Sequence, residues 1–372
     1  MQKISTIVLV VSLFISTIST SQVNSDLGFV AGEVLVQVES KSQLSDLLVK
    51  YNLKNKHVVS QRFNIYLLEF DITRNTNSSI IKMMKDDNSV INIQNNHKLT
   101  LRDNDQTIPN DTLFHKQWSL LNTGQNSGNN GSDIDATLAW DITRGGITAL
   151  GDTIVVAIID GGADLNHEDL NYWKNHNEIP NNNIDDDNNG YIDDYDGWNA
   201  YEHSGVIPLS YHGVHVCGIA GAIGNNETGI AGVNMNVKTL PIAGESSIEA
   251  IVVEALSYVY VVREKYDQTN GNEGAFIVSQ NNSFGVDKGD PEDFPIWEAL
   301  YDSLGQLGVL SMGATANRHW DIDSVGDVPT AFTTDYMISV TNTTNKDELY
   351  SSAGWGETTI DLGAPGTLIY SL

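Results

Sequence analysis

Thr153-Ile154-Val155-Val156-Ala157-Ile158-Ile159, followed at once by Asp160-Gly161-Gly162, decides the fold. An uncharged run this rich in β-branched side chains predicts a strand buried on both faces, as in a parallel sheet. An Asp at the carboxyl end of such a strand is costly unless it orients something. Outward from this strand, residues 248–266 and 295–306 read as helices. Residues 275–278, 308–312, 336–340 and 358–362 read as further strands. Strands alternating with helices predict an α/β fold with a doubly wound parallel sheet. Sites in such sheets form beyond the carboxyl ends of the strands, which is where Asp160 stands.

Two more stretches fall at element ends. His212-Gly213-Val214-His215-Val216-Cys217-Gly218 opens a helix of small apolar residues through Ala222, and its glycines allow close packing with the first His at the helix start. Gly313-Ala314-Thr315-Ala316-Asn317 follows the 308–312 strand, and an Asn amide placed there can donate to a developing oxyanion.

Asp160-Gly161-Gly162 with Asn166-His167-Glu168-Asp169-Leu170, then the His212 stretch, resembles the subtilisin family, whose triad runs Asp, His, Ser in chain order. Asn282-Ser283-Phe284-Gly285 is similar to that family's substrate-cleft strand. Ala316-Asn317 is similar to its oxyanion Asn, and Ala364-Pro365-Gly366 to the segment preceding its nucleophile. Gln117-Trp118, Asn122-Thr123-Gly124 and Ala139-Trp140-Asp141 resemble the start of its mature domain. The resemblance covers residues 109–372 and implies a serine endopeptidase. It implies that Asp160 holds His212 in the right tautomer, that His212 is general base and then general acid, and that Asn317 stabilises the oxyanion. Ser283, Phe284 and Gly285 would line the cleft for an extended peptide or protein substrate, with a hydrophobic side chain just before the scissile bond.

The sequence departs from the family at three places. Val214 and Cys217 stand where the family motif has Thr and Ala, and the expectation for Cys217 is a packed small side chain. No Gly-Thr-Ser occurs among residues 1–372, so the expected fold is C-terminally incomplete and the chain as given inactive. Ser371 lies in a strand-like context and is a poor substitute. The alternative is a catalytically inactive, calcium-binding secreted protein on the same fold. A zinc peptidase using His212 and His215 fits badly, because the pair is spaced i,i+3 without the intervening Glu of the zinc template.

The acidic stretch 185–196 fits a calcium loop, with Asp185, Asp187, Asn189, Tyr191, Asp193 and Asp196 at ligand positions and Gly190 at the sharp turn. Position twelve is Asp where the template has Glu. Oxygen ligands at this density select Ca2+ over zinc or copper.

Charge divides the chain. Residues 27–103 hold ten Lys/Arg and eight Asp/Glu, a balance of +2; residues 104–372 hold nine and thirty-nine, a balance of −30. So acidic a body repels nucleic acid and anionic membranes. It suits a metal cation or a basic partner. Residues 27–103 alternate strands and helices as a small α+β unit and loosely resemble the propeptides of secreted subtilisin-like enzymes. This resemblance makes the chain's own propeptide an expected partner of residues 111–372. Residues 104–110 are polar, hold Pro109 and read as a linker. Residues 1–21 combine Lys3, an apolar run from Ile7 to Ile18 and small residues before a cut after Ser21, the pattern of a signal peptide. That run is too short for a membrane anchor, so the expected location is extracellular. The single cysteine excludes a disulfide framework.

Overall fold

The computed structural model describes residues 28–98, 106–245 and 248–372. The expected signal peptide, residues 1–21, and the first two linker residues lie outside the described residues. The chain divides into two compact units, Met1–Asp103 and Asn104–Leu372.

In the first unit, β1 (Phe29–Val38), β2 (Lys54–Ser60), β3 (Ile65–Glu69) and β4 (Val90–His97) form an antiparallel sheet in the order β2-β3-β1-β4. Helices α1 (Lys41–Lys50) and α2 (Asn77–Met84) pack against it. Alternation along β1 sends Val34, Val36 and Val38 to one face, where they meet Leu44 and Leu47 of α1 and Ile80 and Met84 of α2. This is the expected α+β unit with its own core. Strand β2 carries no buried alternating pattern of its own, since its residues are mostly exposed.

The second unit carries α3 (Ala136–Ala139), β5 (Ile154–Asp160), β6 (Trp198–Asn199), α4 (Tyr211–Gly221), β7 (Lys238–Ala243) and α5 (Glu249–Gln268). It continues with β8 (Phe276–Asn282), β9 (Val286–Asp287), α6 (Pro295–Gln306), β10 (Leu310–Ala314), α7 (Ile322–Val325), β11 (Asp327–Val328), β12 (Met337–Thr343) and β13 (Leu362–Pro365). Seven strands make one sheet in the order β13-β12-β10-β8-β5-β7-β6, and every pair in it is parallel. Strands β9 and β11 pair separately, antiparallel.

Strand β5, interior to the sheet, is buried on both sides, as its composition requires. Val155, Ala157 and Ile159 join the core containing Val252, Ala255 and Val259 of α5 and Trp297 and Tyr301 of α6. Ile158 points the other way, into a cluster with Val214 and Cys217 of α4. Helices on both faces make the sheet doubly wound. After β5 the chain builds β6 and β7 on one side, then β8, β10, β12 and β13 on the other. The order reverses at β5, so a crevice opens beyond its carboxyl end.

One expected strand is displaced. Residues 358–361 are not strand, because the Thr358 and Thr359 amides donate to the Asp323 carboxylate. The ladder to β12 begins only at Leu362.

Candidate active site

Asp160 ends β5 with no exposed surface. Its Oδ1 accepts from its neighbour Gly161 N–H at 2.7 Å and from Ser210 Oγ at 3.4 Å. Its Oδ2 lies 2.7 Å from His212 Nδ1. A buried carboxylate with this many donors is fixed in orientation, and it fixes the imidazole in turn. The His212 side chain keeps 58% of its surface exposed, which leaves the ring accessible while its Nδ1 edge is anchored.

Local sequence makes that approach possible. Ser210 caps α4, its Oγ accepting from Gly213 N–H at 3.1 Å, and so places His212 in the first helical turn. A Cβ on Gly213 would lie 1.9 Å from the Gly162 carbonyl oxygen. Gly162 has φ of +131°, and a Cβ there would meet the Pro208 carbonyl oxygen at 2.0 Å. Both glycines therefore permit contacts that a side chain forbids.

Strands β8 and β10 flank the crevice on the other side of β5. Ser283, Phe284 and Gly285 directly follow β8, and Thr315, Ala316 and Asn317 directly follow β10. His212, Ser283 and Asn317 line one cleft, to which Ala364, Pro365 and Gly366 also contribute. The structure thus brings Asp160, His212, Asn317 and Ser283 together. Phe284 also packs inward, its ring stacking on Trp297 at 6.1 Å and lying against the core. Ser371 does not reach His212; its hydroxyl donates to the His215 carbonyl at 2.7 Å. Cys217 is fully buried, and burial pushes its thiol up to about 12, which removes it as a nucleophile.

Two carboxylates beside this machinery were not singled out from the sequence. Glu245 follows β7 and shares a 4.8 Å cluster of ligand atoms with Asp160 and His212. Asp327 is 3% exposed, and its Oδ2 accepts from Ala316 N–H at 3.1 Å and Thr330 Oγ1 at 2.6 Å. It pins the backbone next to Asn317. Neither residue lies in a motif; each is near the cleft only because the sheet puts it there.

Asp185 and Asp187 converge with Glu178, one oxygen of each lying within 4.8 Å of the others. The Asn189 amide donates to both Asp185 and Asp187 at 3.0 Å, and Asn189 Oδ1 accepts from Tyr191 N–H at 2.7 Å. Burial pushes the Glu178 and Asp187 carboxyls up. Asp193 accepts the Asn182 and Asn183 backbone amides at 2.9 and 3.0 Å. Asp196 pairs with Lys174, and the Tyr191 ring packs on Trp198 and Tyr258. Glu178 lies outside the twelve-residue window, so no spacing rule identifies it.

Among the described residues no helix is long and apolar enough to cross a membrane. Residues 151–371 match the Subtilase family. The Subtilisin-like protease 1 of Plasmodium falciparum (isolate 3D7) is 31% identical over 238 residues, 58% of this chain and 33% of that protein. The Subtilisin-like protease 1 of Plasmodium vivax is 28% identical over 298 residues, 72% of this chain and 45% of that protein. A solved structure described as proteases from Pseudoalteromonas arctica PAMC 21717 is similar at 20% identity and a TM-score of 0.48, covering 70% of this chain and 73% of that one. The chain spans between a third and a half of the length of those two curated relatives.

Proposed function

From the premise that the chain belongs to the subtilase family, we propose that it belongs to a secreted serine endopeptidase precursor. The observation that carries this reading is the 2.7 Å bond from His212 to buried Asp160, opening on the cleft that Asn317 and Ser283 line. In the proposed reaction a serine hydroxyl presented to His212 Nε2 loses its proton to the ring as its oxygen bonds the scissile carbonyl carbon. Asp160 accepts from Nδ1–H throughout and stabilises the imidazolium. Asn317 donates to the oxyanion, a contribution of about 3 kcal/mol. Imidazolium then protonates the departing amine as the C–N bond breaks, and water hydrolyses the ester by the same proton path. The residue at the edge of β8, Ser283, begins the segment against which an extended peptide pairs.

The acidic loop is proposed to hold Ca2+. Glu178, Asp185 and Asp187 crowd three carboxylates into one small space, partly buried, which fits a hard cation with oxygen ligands. Asn189 stands beside them. The ion would brace the loop that precedes His212 without entering the chemistry. Residues 27–103 are proposed as a propeptide. Mature protein recovered from culture medium still carrying them would refute that part of the reading.

The test of the whole is to read the gene onward from the codon for Leu372, express its product and assay casein hydrolysis. A Gly-Thr-Ser within a few dozen codons, with hydrolysis lost in His212→Ala, is the expected result. A stop codon directly after Leu372, with no hydrolysis, would favour the inactive calcium-binding alternative.

A further inference from the structure

A second cavity opens off the His212 cleft and shares Ser283, Ala316 and Asn317 with it. Its volume is about 220 Å³, and Asp287 and Asp327 are among the residues lining it. The two carboxylates belong to the short β9–β11 ladder, in which Asp287 stands opposite Asp327. They differ in setting, since Asp287 is exposed at the rim and Asp327 is buried.

Asp327 is half satisfied. Its Oδ2 takes the two hydrogen bonds from Ala316 and Thr330. Among the described residues no donor reaches Oδ1, and that atom is not one of those sealed away from solvent without a partner. A carboxylate oxygen of a buried residue that solvent can still reach from the cavity, and that no protein donor holds, is free to accept from a cation or a strong donor. The basic residues nearby do not meet it. Arg318 lines the same cavity but is exposed, and Lys288 Nζ sits over the Trp320 ring at 4.4 Å. The nearest charge to act on Asp327 is Asp287, of the same sign.

We propose that this cavity receives a cationic side chain, Arg or Lys, of the peptide in the cleft, with buried Asp327 as its anchor and Asp287 as the rim contact. The inference rests on the peptidase reading, because that reading places an extended peptide along Ser283 with its scissile carbonyl between His212 and Asn317. The side chain just before that carbonyl then enters the cavity that opens between Ser283 and Asn317. A buried carboxylate in the lining favours a cationic side chain over the hydrophobic one expected from the cleft motif. The cavity's apolar wall, including Phe284, suits the methylene stem of the same side chain.

Binding tests this on the chain itself, without turnover. Fluorescent tetrapeptides identical except at the last residue, which is Arg, citrulline or Leu, are titrated by anisotropy at neutral pH and low salt. Citrulline matches Arg in shape and lacks its charge. The Arg peptide is expected to bind at least about ten-fold tighter than the citrulline peptide. Asp327→Asn should bring the two within about two-fold, and Asp287→Asn should fall between. Equal binding of Arg and citrulline peptides, or tighter binding of Leu, by the unmutated chain would overturn the inference and leave the peptide cleft standing. Failure of all three peptides to bind would overturn the peptide cleft and the inference together. Because the comparison among peptides is made on the unmutated chain, a misfolded Asp327→Asn does not blunt it.

Discussion

At the scale of single residues, Asp160 is the point on which the site turns. Asp160→Asn keeps the size of the side chain but offers an N–H to His212 Nδ1, which selects the wrong tautomer. The expected outcome is the loss of the low-field Hδ1 resonance of His212 in proton NMR and, in the active gene product, a fall in kcat on the order of 10⁴-fold. Asp327 carries a different prediction. Burial, with the Asp287 charge adding to it, pushes Asp327 up to about 6, above the value near 4 of an unfolded Asp. Between those values the folded chain holds a proton that the unfolded chain has released. The stabilisation is therefore full below about pH 4 and is lost as pH rises through about 6, in total about 3 kcal/mol. Asp327→Asn has no such titration. Urea unfolding should show the variant gaining on the unmutated chain by about that amount between pH 4 and 7, and a constant difference would contradict the assignment.

At the scale of elements, helix α4 and the Gly161–Gly162 turn work as one fitted pair. Adding a methyl in Gly213→Ala forces it onto the Gly162 carbonyl oxygen, 1.9 Å away. The helix start must move, and His212 moves with it. The expected cost is about 1–3 kcal/mol by denaturant unfolding, from overpacking at backbone that cannot yield, together with loss of the His212–Asp160 NMR signature. Which elements were legible follows from what formed them. Strand β5 was readable because burial on both faces demands a continuous apolar run. Strand β7 was not, because Lys238 and Pro241 interrupt its pattern; it tolerates the proline because its outer neighbour β6 pairs only at Ile242 and Ala243. Strand β2 is a strand through pairing with β3, not through its own composition.

At the scale of the whole molecule, the acidic loop and the division into two units are the features to test. Calcium at one hundred times its Kd should add about 2.7 kcal/mol to the unfolding free energy, seen as a higher thermal midpoint that chelation reverses. Asp187→Asn or Glu178→Gln should remove most of that rise, and Asp193→Asn should spare it, because Asp193 serves the Asn182 and Asn183 amides. An unchanged midpoint in the unmutated chain would count against the metal. Residues 27–103 expressed alone should unfold cooperatively, since they enclose a core of their own; a spectrum of a disordered chain would contradict this. The sequence by itself determined the α/β class, the order of Asp160, His212 and Asn317, and the separation of a near-neutral segment from an acidic body. These are local quantities: hydrophobic period, motif and charge count. Only the tertiary structure decided that Glu178 joins Asp185 and Asp187 while Asp196 pairs with Lys174. It alone decided that Ser371 turns to the His215 carbonyl and that Asp327 and Asp287 share one cavity beside Asn317. The reason is physical. A carboxylate's role depends on which donors and charges the fold brings within a few ångströms of it, and those partners lie at sequence distances that no local pattern records.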